Sequence, residues 1–285
     1  MRVVGAFGPI DDIAMTAQAM TRGQPPISRF APSPTGFLHL GHAYSAVTAH
    51  DLARERGGKF RVRIEDIDGT RCRPEFVDAI FEDLHWLGLR WDGLSVQSDH
   101  APRYMAALAT LRDLDLIYPC VCTRAEIAAS ASAPQGDLPP VYPGTCRGRI
   151  VEGPAAWRLD MAKAAAPDDP AQAWGDVVIA RKDALASYHL AVVVDDAAEG
   201  ITDVVRGRDL ETATDVHRVL QSRLSLPTPR YHHHALIYAP DGKRLAKRTG
   251  SASLADMRAN GIDGLMLANH LRAGRLPIGF AFDNP

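Results

Sequence analysis

The stretch PTGFLHLGH at positions 34–42 separates a strand pattern at Ile27–Ala31 from a helical pattern that begins at Gly41. Prolines and a glycine near its start end the strand, so a loop must follow. A helix N-terminus offers unpaired N–H groups and a partial positive charge, and Gly41 lets a ligand approach the backbone. His39 and His42 can both donate to phosphate oxygens. The stretch predicts a strand, a triphosphate-binding loop and a helix, although two surface histidines beside a capping loop would give the same pattern.

A second strand and helix follow in the order that such a loop requires. Lys59–Ile64 alternates as a strand, an acidic turn occupies 65–71, and Pro74 opens a helix expected to end at Leu87. The resulting β-α-β-α order is typical of a parallel doubly wound sheet, whose ligands lie at the carboxyl ends of the strands. The loops at 34–42 and 65–71 are therefore where chemistry is expected.

The rest of the chain gives a coarser pattern. Helices are expected at Ala101–Leu116, Asp215–Leu224 and Asp263–Leu271. Strands are expected at Trp157–Met161, Val177–Ala180, Tyr188–Val194 and His232–Tyr238. The Ala-, Ser-, Pro- and Gly-rich stretch 128–143 indicates an insertion. His232, His233 and His234 alternate between the faces of the last strand, so they cannot share one metal and are interpreted as structural or nucleotide-lining.

Composition narrows the class of protein. The 285 residues are 46% hydrophobic with a net charge of -2 at pH 7, which argues against a wholly polybasic nucleic-acid binder. Four cysteines are too few for a secreted disulfide framework, so a cytoplasmic protein is expected. No uncharged run is long enough to span a bilayer, and no signal peptide is expected. Residues 1–26 are interpreted as an N-terminal extension, either disordered or produced by a start codon placed too early.

A basic segment, DGKRLAKRTG at 241–250, carries four cations between two glycines. Such a segment could close over a polyphosphate and neutralise charge that develops during displacement. Taken alone it could equally be a solvated loop.

Taken together, the two segments resemble a known family. HLGH at 39–42 and RLAKR at 244–248 resemble, in the right order, the two signature motifs of class I aminoacyl-tRNA synthetases. Arg244 and Ala246 stand where that family usually has Lys and Ser. The likeness to the glutamyl-tRNA synthetase catalytic core runs from about Arg29 to Thr249 and includes RFAPSPTG at 29–36, RIEDID at 63–68, YHLA at 188–191 and VVRG at 204–207.

The resemblance implies a class I Rossmann-like fold, ATP with Mg²⁺, and specific site residues. It assigns glutamate binding to Arg29, Ser33, Glu65, Tyr188 and Arg206. It assigns ATP binding to His39, Gly41, His42, Arg244 and Lys247, with His39, His42 and Lys247 as the catalytic residues. The chemistry agrees, because an amino acid with two carboxylates and one ammonium suits guanidinium forks and one protein carboxylate. A single arginine of this set could also be a surface ion pair.

Three cysteines of the inserted region form a candidate metal site. Cys120, Cys122 and Cys146 could converge on zinc, which takes four ligands in structural sites, so one ligand is left open. Three buried free cysteines are the alternative. The pattern is similar to the zinc site of the short paralogues of glutamyl-tRNA synthetase, and this resemblance implies Tyr142 as the fourth ligand.

The resemblance also implies a domain organisation. A catalytic domain is expected at 27–250, with an insertion at about 100–185 that holds the zinc site within 120–146. Residues 251–285 are expected to form a short helical segment. Because only about 35 residues follow Gly250, no anticodon-binding domain is expected.

Details of the sequence point to the short paralogues. Val192 stands where the full-length enzymes tend to have Asn, and RGRDL at 206–210 resembles the short form. The implied activity is ATP-dependent activation of L-glutamate and its transfer to queuosine at the wobble position of tRNA(Asp), by a monomer. The alternatives are a small synthetase that charges the 3′ end of tRNA(Glu), an inactive tRNA-binding paralogue, and a nucleotidyltransferase that shares only the histidine turn.

Overall fold

A computed structural model describes residues 24–123, 125–127, 141–243, 245 and 253–283. Within these residues the chain divides into two compact units. The sheet unit comprises 24–99, 200–211 and 229–283, and the insert unit comprises 100–199 and 212–228.

The sheet unit is built on a parallel sheet of β1 (Ile27–Phe30), β2 (Lys59–Ile64), β3 (Gly93–Val96), β7 (Asp203–Gly207) and β8 (Arg230–His234), which confirms the predicted parallel α/β arrangement. The strand order is β3-β2-β1-β7-β8. Helix α1 (Leu40–Arg54) connects β1 to β2, and α2 (Pro74–Trp86) connects β2 to β3. Pro74 lies at the first turn of α2, where its missing N–H costs no helical hydrogen bond.

The register gives the sheet two chemically different faces. Phe30, Val62 and Val205 lie on one face and belong to the buried core that also contains the inner side of α1. On the same face, the Ser28 hydroxyl donates to the Ala49 carbonyl of α1 at 2.5 Å. We call this the apolar face. Residues one position away along each strand lie on the opposite face, because side chains alternate.

The C-terminal part of the sheet unit contains two helices, α7 (Leu254–Ala259) and α8 (Gly264–Arg272). Helix α8 packs on α1, and α7 packs on α2. The predicted strand at His232–Tyr238 is wrong in extent, since β8 ends at His234 and a separate strand, β9 (Ile237–Tyr238), pairs antiparallel with β10 (Ala281–Phe282).

The insert unit contains an antiparallel sheet of β4 (Ile117–Cys120), β5 (Ala156–Leu159) and β6 (Val178–Ala180). Its helices are α3 (Ala101–Asp113), α4 (Met161–Ala164), α5 (Tyr188–Ala198) and α6 (Ala213–Arg223).

The predicted strand at Tyr188–Val194 is wrong, because these residues open helix α5. Leu190 through Val194 are all buried, so the segment lacks the polar stripe that marks a helix in sequence. No helix among the described residues is long and apolar enough to cross a membrane.

Candidate active site

The two motif histidines lie where the β1 loop becomes helix α1. His39 is the N-cap residue, and its backbone N–H donates to His42 Nδ1 at 3.1 Å. The two imidazole rings lie 3.7 Å apart, centroid to centroid. A Cβ atom at Gly41 would lie 3.1 Å from His39 Cε1, so glycine leaves the space that this imidazole occupies. The structure therefore brings His39, Gly41 and His42 together at a helix N-terminus.

The loop before these histidines is tied to the end of β2. The Thr35 N–H donates to the Ser33 carbonyl at 2.9 Å, which forms a tight turn. The Glu65 N–H donates to the Pro32 carbonyl at 3.0 Å. Ser33 and Glu65, two of the predicted glutamate-binding residues, thus lie on neighbouring loops at the carboxyl edge of the sheet.

The second face of the sheet is rich in charged and aromatic side chains, and we call it the polar face. Register and alternation place seven such residues on it: Arg29, Arg61, Arg63, Glu65, Arg206, Tyr231 and His233. Arg29 and Arg206 are each 5% exposed and Glu65 is 8% exposed. Burial of charges is costly unless they are paired or hydrogen-bonded, so a face with so many buried charges is built for recognition or for internal pairing.

Specific contacts hold the predicted site residues of this face. Arg29 Nη1 donates to the Val205 carbonyl at 3.5 Å, which joins β1 to β7. Arg63 Nη2 lies 3.5 Å from Glu65 Oε1, and Arg63 is fully buried. Arg63 was not among the site residues predicted from sequence, although its place two residues before Glu65 on β2 puts both side chains on the same face.

Arg206 is held by two residues of β8. Its Nε donates to His233 Nε2 at 3.4 Å, and its Cζ lies 5.0 Å from the centre of the Tyr231 ring. The Tyr231 and His233 rings are nearly parallel, with 7° between their planes. His232 and His234 lie on the apolar face, where His232 Nε2 bonds Asp203 at 2.8 Å and His234 packs against Tyr44.

Of the basic segment, the structure describes residues 241–243 and 245. Arg244 and Lys247 lie outside the described residues. Leu245 is buried in the core of the sheet unit. The next described residue, Ser253, forms an antiparallel bridge with His39.

Tyr188 belongs to the insert unit, where it begins helix α5. Its ring lies 5.6 Å from that of His189 and 5.5 Å from that of His217. His189 Nδ1 and His217 Nε2 are 3.2 Å apart. The assignment of Tyr188 to glutamate binding stays a prediction.

The three predicted cysteine ligands do converge. The sulfur atoms of Cys120, Cys122 and Cys146 lie within 4.8 Å of one another. Cys122 Sγ and Cys146 Sγ are 3.5 Å apart, close to the ~3.8 Å edge of a tetrahedron with Zn–S bonds of about 2.3 Å. The Tyr142 hydroxyl lies 3.4 Å from Cys120 Sγ and 3.5 Å from Cys122 Sγ. The four side chains therefore fit a small tetrahedral ion.

Burial and hydrogen bonding within the cluster change the pKa values of Cys146 and Tyr142. Burial acts to raise the pKa of the Cys146 thiol, but bonds from Tyr142, the Val121 backbone and the other thiols outweigh it and lower this pKa to about 7. Burial and bonds to the cysteines raise the pKa of the Tyr142 hydroxyl. The thiolate is the form of cysteine that binds a metal, and a pKa near 7 makes this form abundant at neutral pH.

Neighbouring residues hold Tyr142 and Cys146 in place. Tyr142 bridges to Gly175, whose φ of 58° and close approach to Val141 require a glycine. The next residue, Asp176, is buried, and it accepts from Arg147 Nε at 3.2 Å. Because Arg147 follows Cys146, one short segment holds both Tyr142 and the last cysteine.

Comparison with known protein families identifies relatives of this chain. Residues 27–143 and 167–277 match the tRNA synthetases class I (E and Q) catalytic domain. The chain is 48% identical to a glutamyl-Q tRNA(Asp) synthetase of Rhodobacter capsulatus, over 82% of this chain and 95% of that protein. It is 42% identical to the protein of the same name from Symbiobacterium thermophilum, over 85% and 84%.

A solved structure supports the same relationship. The glutamate tRNA ligase of Elizabethkingia meningosepticum superposes with a TM-score of 0.66 at 26% identity and matches 84% of this chain. This chain spans 54% of the length of that ligase. The residues that the family model matches include the histidine turn and the arginine-bearing strands, so the chain belongs to the class I tRNA synthetase family for glutamate and glutamine, and the curated relatives reported above are named glutamyl-Q tRNA(Asp) synthetase.

Proposed function

We propose that this protein activates L-glutamate with ATP and transfers the glutamate to queuosine at the wobble position of tRNA(Asp). The observation that carries the proposal is the combination of a polar sheet face bearing Arg29, Glu65 and Arg206 with the His39–His42 helix start in one unit. Relatives that share more than 40% identity and carry the queuosine-related name support the choice of nucleic-acid substrate.

Glutamate recognition follows from the charges of the polar face. The guanidinium groups of Arg29 and Arg206 suit the two carboxylates of glutamate, and the Glu65 carboxylate suits its ammonium group. Ser33 lies on the adjoining loop and supplies a hydroxyl. Glutamine would leave a buried guanidinium without its anionic partner, which costs about 1–3 kcal/mol or more. The proposed Tyr188 contact rests on the sequence resemblance alone.

The first step is attack by the glutamate α-carboxylate on the α-phosphate of ATP, which releases pyrophosphate. Such a step needs positioning and charge neutralisation more than acid–base chemistry. His39, His42 and the backbone N–H groups at the start of α1 can donate to the phosphate oxygens. Arg244 and Lys247 are proposed to neutralise the charge that develops on the phosphates. Bound with ATP, Mg²⁺ supplies further neutralisation of the same oxygens.

In the second step, a hydroxyl of the queuosine cyclopentenediol attacks the acyl carbon of the mixed anhydride. The bond between that carbon and the phosphate oxygen breaks, and AMP leaves. We propose that the leaving phosphate oxygen takes the hydroxyl proton. We propose that one chain carries out both steps in the cytoplasm, where ATP and tRNA are present.

We also propose that Cys120, Cys122, Tyr142 and Cys146 hold one structural zinc ion. A four-ligand site leaves no open coordination position, so the ion would stabilise the insert unit and take no part in either chemical step. The convergence of three sulfur atoms and a phenol oxygen supports this assignment.

The test uses labelled glutamate and ATP with two forms of tRNA(Asp), one carrying queuosine and one carrying guanosine at the wobble position. We expect label only in the queuosine form. Label on the 3′ end of tRNA(Glu), with none in either tRNA(Asp), would instead assign the protein to the charging synthetases. Absence of label in all three, together with no glutamate-dependent pyrophosphate exchange, would indicate an inactive paralogue.

A further inference from the structure

Two residues outside the motifs contact the guanidinium group of Arg206 on different sides. His233 Nε2 accepts from Arg206 Nε at 3.4 Å, along the edge of the guanidinium plane. The Tyr231 ring lies 5.0 Å from Arg206 Cζ. Arg206 and His233 are paired in the register of β7 and β8, so the contact is built into the sheet.

The orientation of the guanidinium group matters more than its charge for recognising a carboxylate. A bidentate pair needs two N–H groups of the same plane to face two oxygens, and a small rotation replaces it with a single bond. Arginine side chains have several rotatable bonds, and holding one orientation therefore costs conformational entropy. A hydrogen-bond acceptor at Nε and an aromatic ring near Cζ would hold the side chain in one orientation in the folded protein. The entropy would then be lost on folding and not on substrate binding.

We propose that Tyr231 and His233 are positioning residues, which fix the guanidinium plane of Arg206 for a carboxylate of the amino-acid substrate. The inference rests on the proposed function for the identity of that substrate. It requires the His233 ring to present an unprotonated Nε2 to Arg206. His232, the adjacent histidine, has no part in this role because its side chain bonds Asp203 on the other face of the sheet.

The first experiment follows the contact itself. The NMR signal of the Arg206 Nε–H is assigned by its loss in Arg206→Lys and is then compared between the wild type and His233→Ala. We expect the signal to shift and to exchange faster with water in His233→Ala. An unmoved signal overturns the proposal whatever the substrate is.

The second experiment follows pyrophosphate exchange at varied glutamate and ATP. We expect His233→Ala to raise the glutamate KM about 10–100-fold, the usual effect of losing a hydrogen bond to a charged group, with kcat and the ATP KM within about threefold of wild type. His233→Gln, which keeps an acceptor at similar reach, is expected to restore most of the affinity. His232→Gln is the matched control and is expected to behave as wild type.

Either a glutamate KM within twofold of wild type in His233→Ala, or equal rises in the glutamate and ATP KM values, overturns the proposal. Should His233→Ala fail to fold, Tyr231→Leu tests the same role through the ring contact, with the same expected split between the two KM values. A folded wild-type protein without glutamate-dependent exchange overturns the proposed function and the link to glutamate, while the NMR comparison still decides whether His233 holds Arg206.

Discussion

Ser253 pairs with His39 in an antiparallel bridge, and the N–H of Leu254 donates to the Leu38 carbonyl at 2.8 Å. The residue that follows the basic segment is therefore fixed to the turn that carries the motif histidines. Within that segment, the Leu245 N–H donates to the Ile237 carbonyl at 3.5 Å. The chain beyond the basic segment thus returns to the turn of the motif histidines through backbone contacts of Ser253 and Leu254.

Lys247 is predicted from the sequence resemblance to neutralise charge in the first step. We expect Lys247→Ala to lower kcat by about 10²–10³, the usual effect of removing one preorganised charge contact, with little change in glutamate binding. Pyrophosphate exchange gives kcat, and calorimetry gives glutamate affinity. A rate within twofold of wild type would remove Lys247 from the mechanism.

Gly41 offers a test of the histidine geometry. The Cβ atom of alanine would lie 3.1 Å from His39 Cε1 and 3.2 Å from His39 Nδ1, closer than the usual separation of about 3.5–4.0 Å. We expect Gly41→Ala to displace the His39 ring and to raise the ATP KM at least several-fold. Thermal unfolding should change little, because alanine suits a helix. An unchanged ATP KM would show that the ring position is not needed.

Arg206 tests the identity of the amino acid. We expect Arg206→Gln to lower kcat/KM for glutamate by at least about 100-fold, because a neutral amide cannot replace a fork of charged donors. Melting temperature and circular dichroism should stay close to wild type. Arg272→Gln, which removes an arginine that bonds Asp51 on the outside of the sheet unit, is the control. Glutamate-dependent exchange that persists unchanged in Arg206→Gln would refute the assignment.

The metal site predicts a defined stoichiometry. We expect about one zinc ion per chain by elemental analysis, with loss of the ion and a lower melting temperature in Cys122→Ser. Cys72→Ser changes a cysteine of the sheet unit and should keep the zinc. Tyr142→Phe should bind zinc more weakly than wild type in a chelator competition. Equal zinc affinity in Tyr142→Phe would leave the fourth ligand open.

Asp203 makes the stability of the folded state depend on pH in the acid range. Burial acts to raise its pKa, but hydrogen bonds from Arg230, Thr202 and His232 outweigh this and lower the pKa from 3.8 to about 2. A carboxyl with a depressed pKa stabilises the folded state above the unfolded-state pKa, and the stabilisation is lost as the pH falls through the folded-state value. Arg230 and His232 are about two-fifths exposed, and solvent therefore weakens their bonds to Asp203. We expect ionised Asp203 to contribute roughly 1–2 kcal/mol to the free energy of unfolding at neutral pH.

The measurement compares the free energy of unfolding of the wild type and Asp203→Asn in denaturant at several pH values. The difference should be largest above pH 4 and should shrink as the pH approaches 2. A difference that does not change with pH would mean that Asp203 acts through packing alone.

Much of the site was predictable because its signals are local in sequence. The histidine turn and the strand Lys59–Ile64 depend on short-range backbone chemistry, and the structure places both as predicted. The convergence of Cys120, Cys122 and Cys146 was also predictable, because few functions other than metal binding bring three thiols together.

Other features depend on information that the sequence pattern does not carry. Helix α5 was predicted as a strand because its residues 190–194 are buried on every side and show no period. The roles of Tyr231 and His233 depend on β8 lying beside β7, and that is decided by tertiary packing. A histidine triplet in a strand pattern indicates alternation, but it does not tell which face meets the arginine.

The alternation of side chains along β1, β2, β7 and β8 separates a charged set of side chains from a set that packs in the hydrophobic core, within a few residues of each strand. Under the proposed function, substitutions on the polar face would alter which charges a ligand must carry, whereas the core residues Phe30, Val62 and Val205 lie on the other side of the same strands. Because Arg29, Glu65 and Arg206 are buried, a new amino-acid preference on this sheet would need a change of charge together with a new partner for each charge left behind.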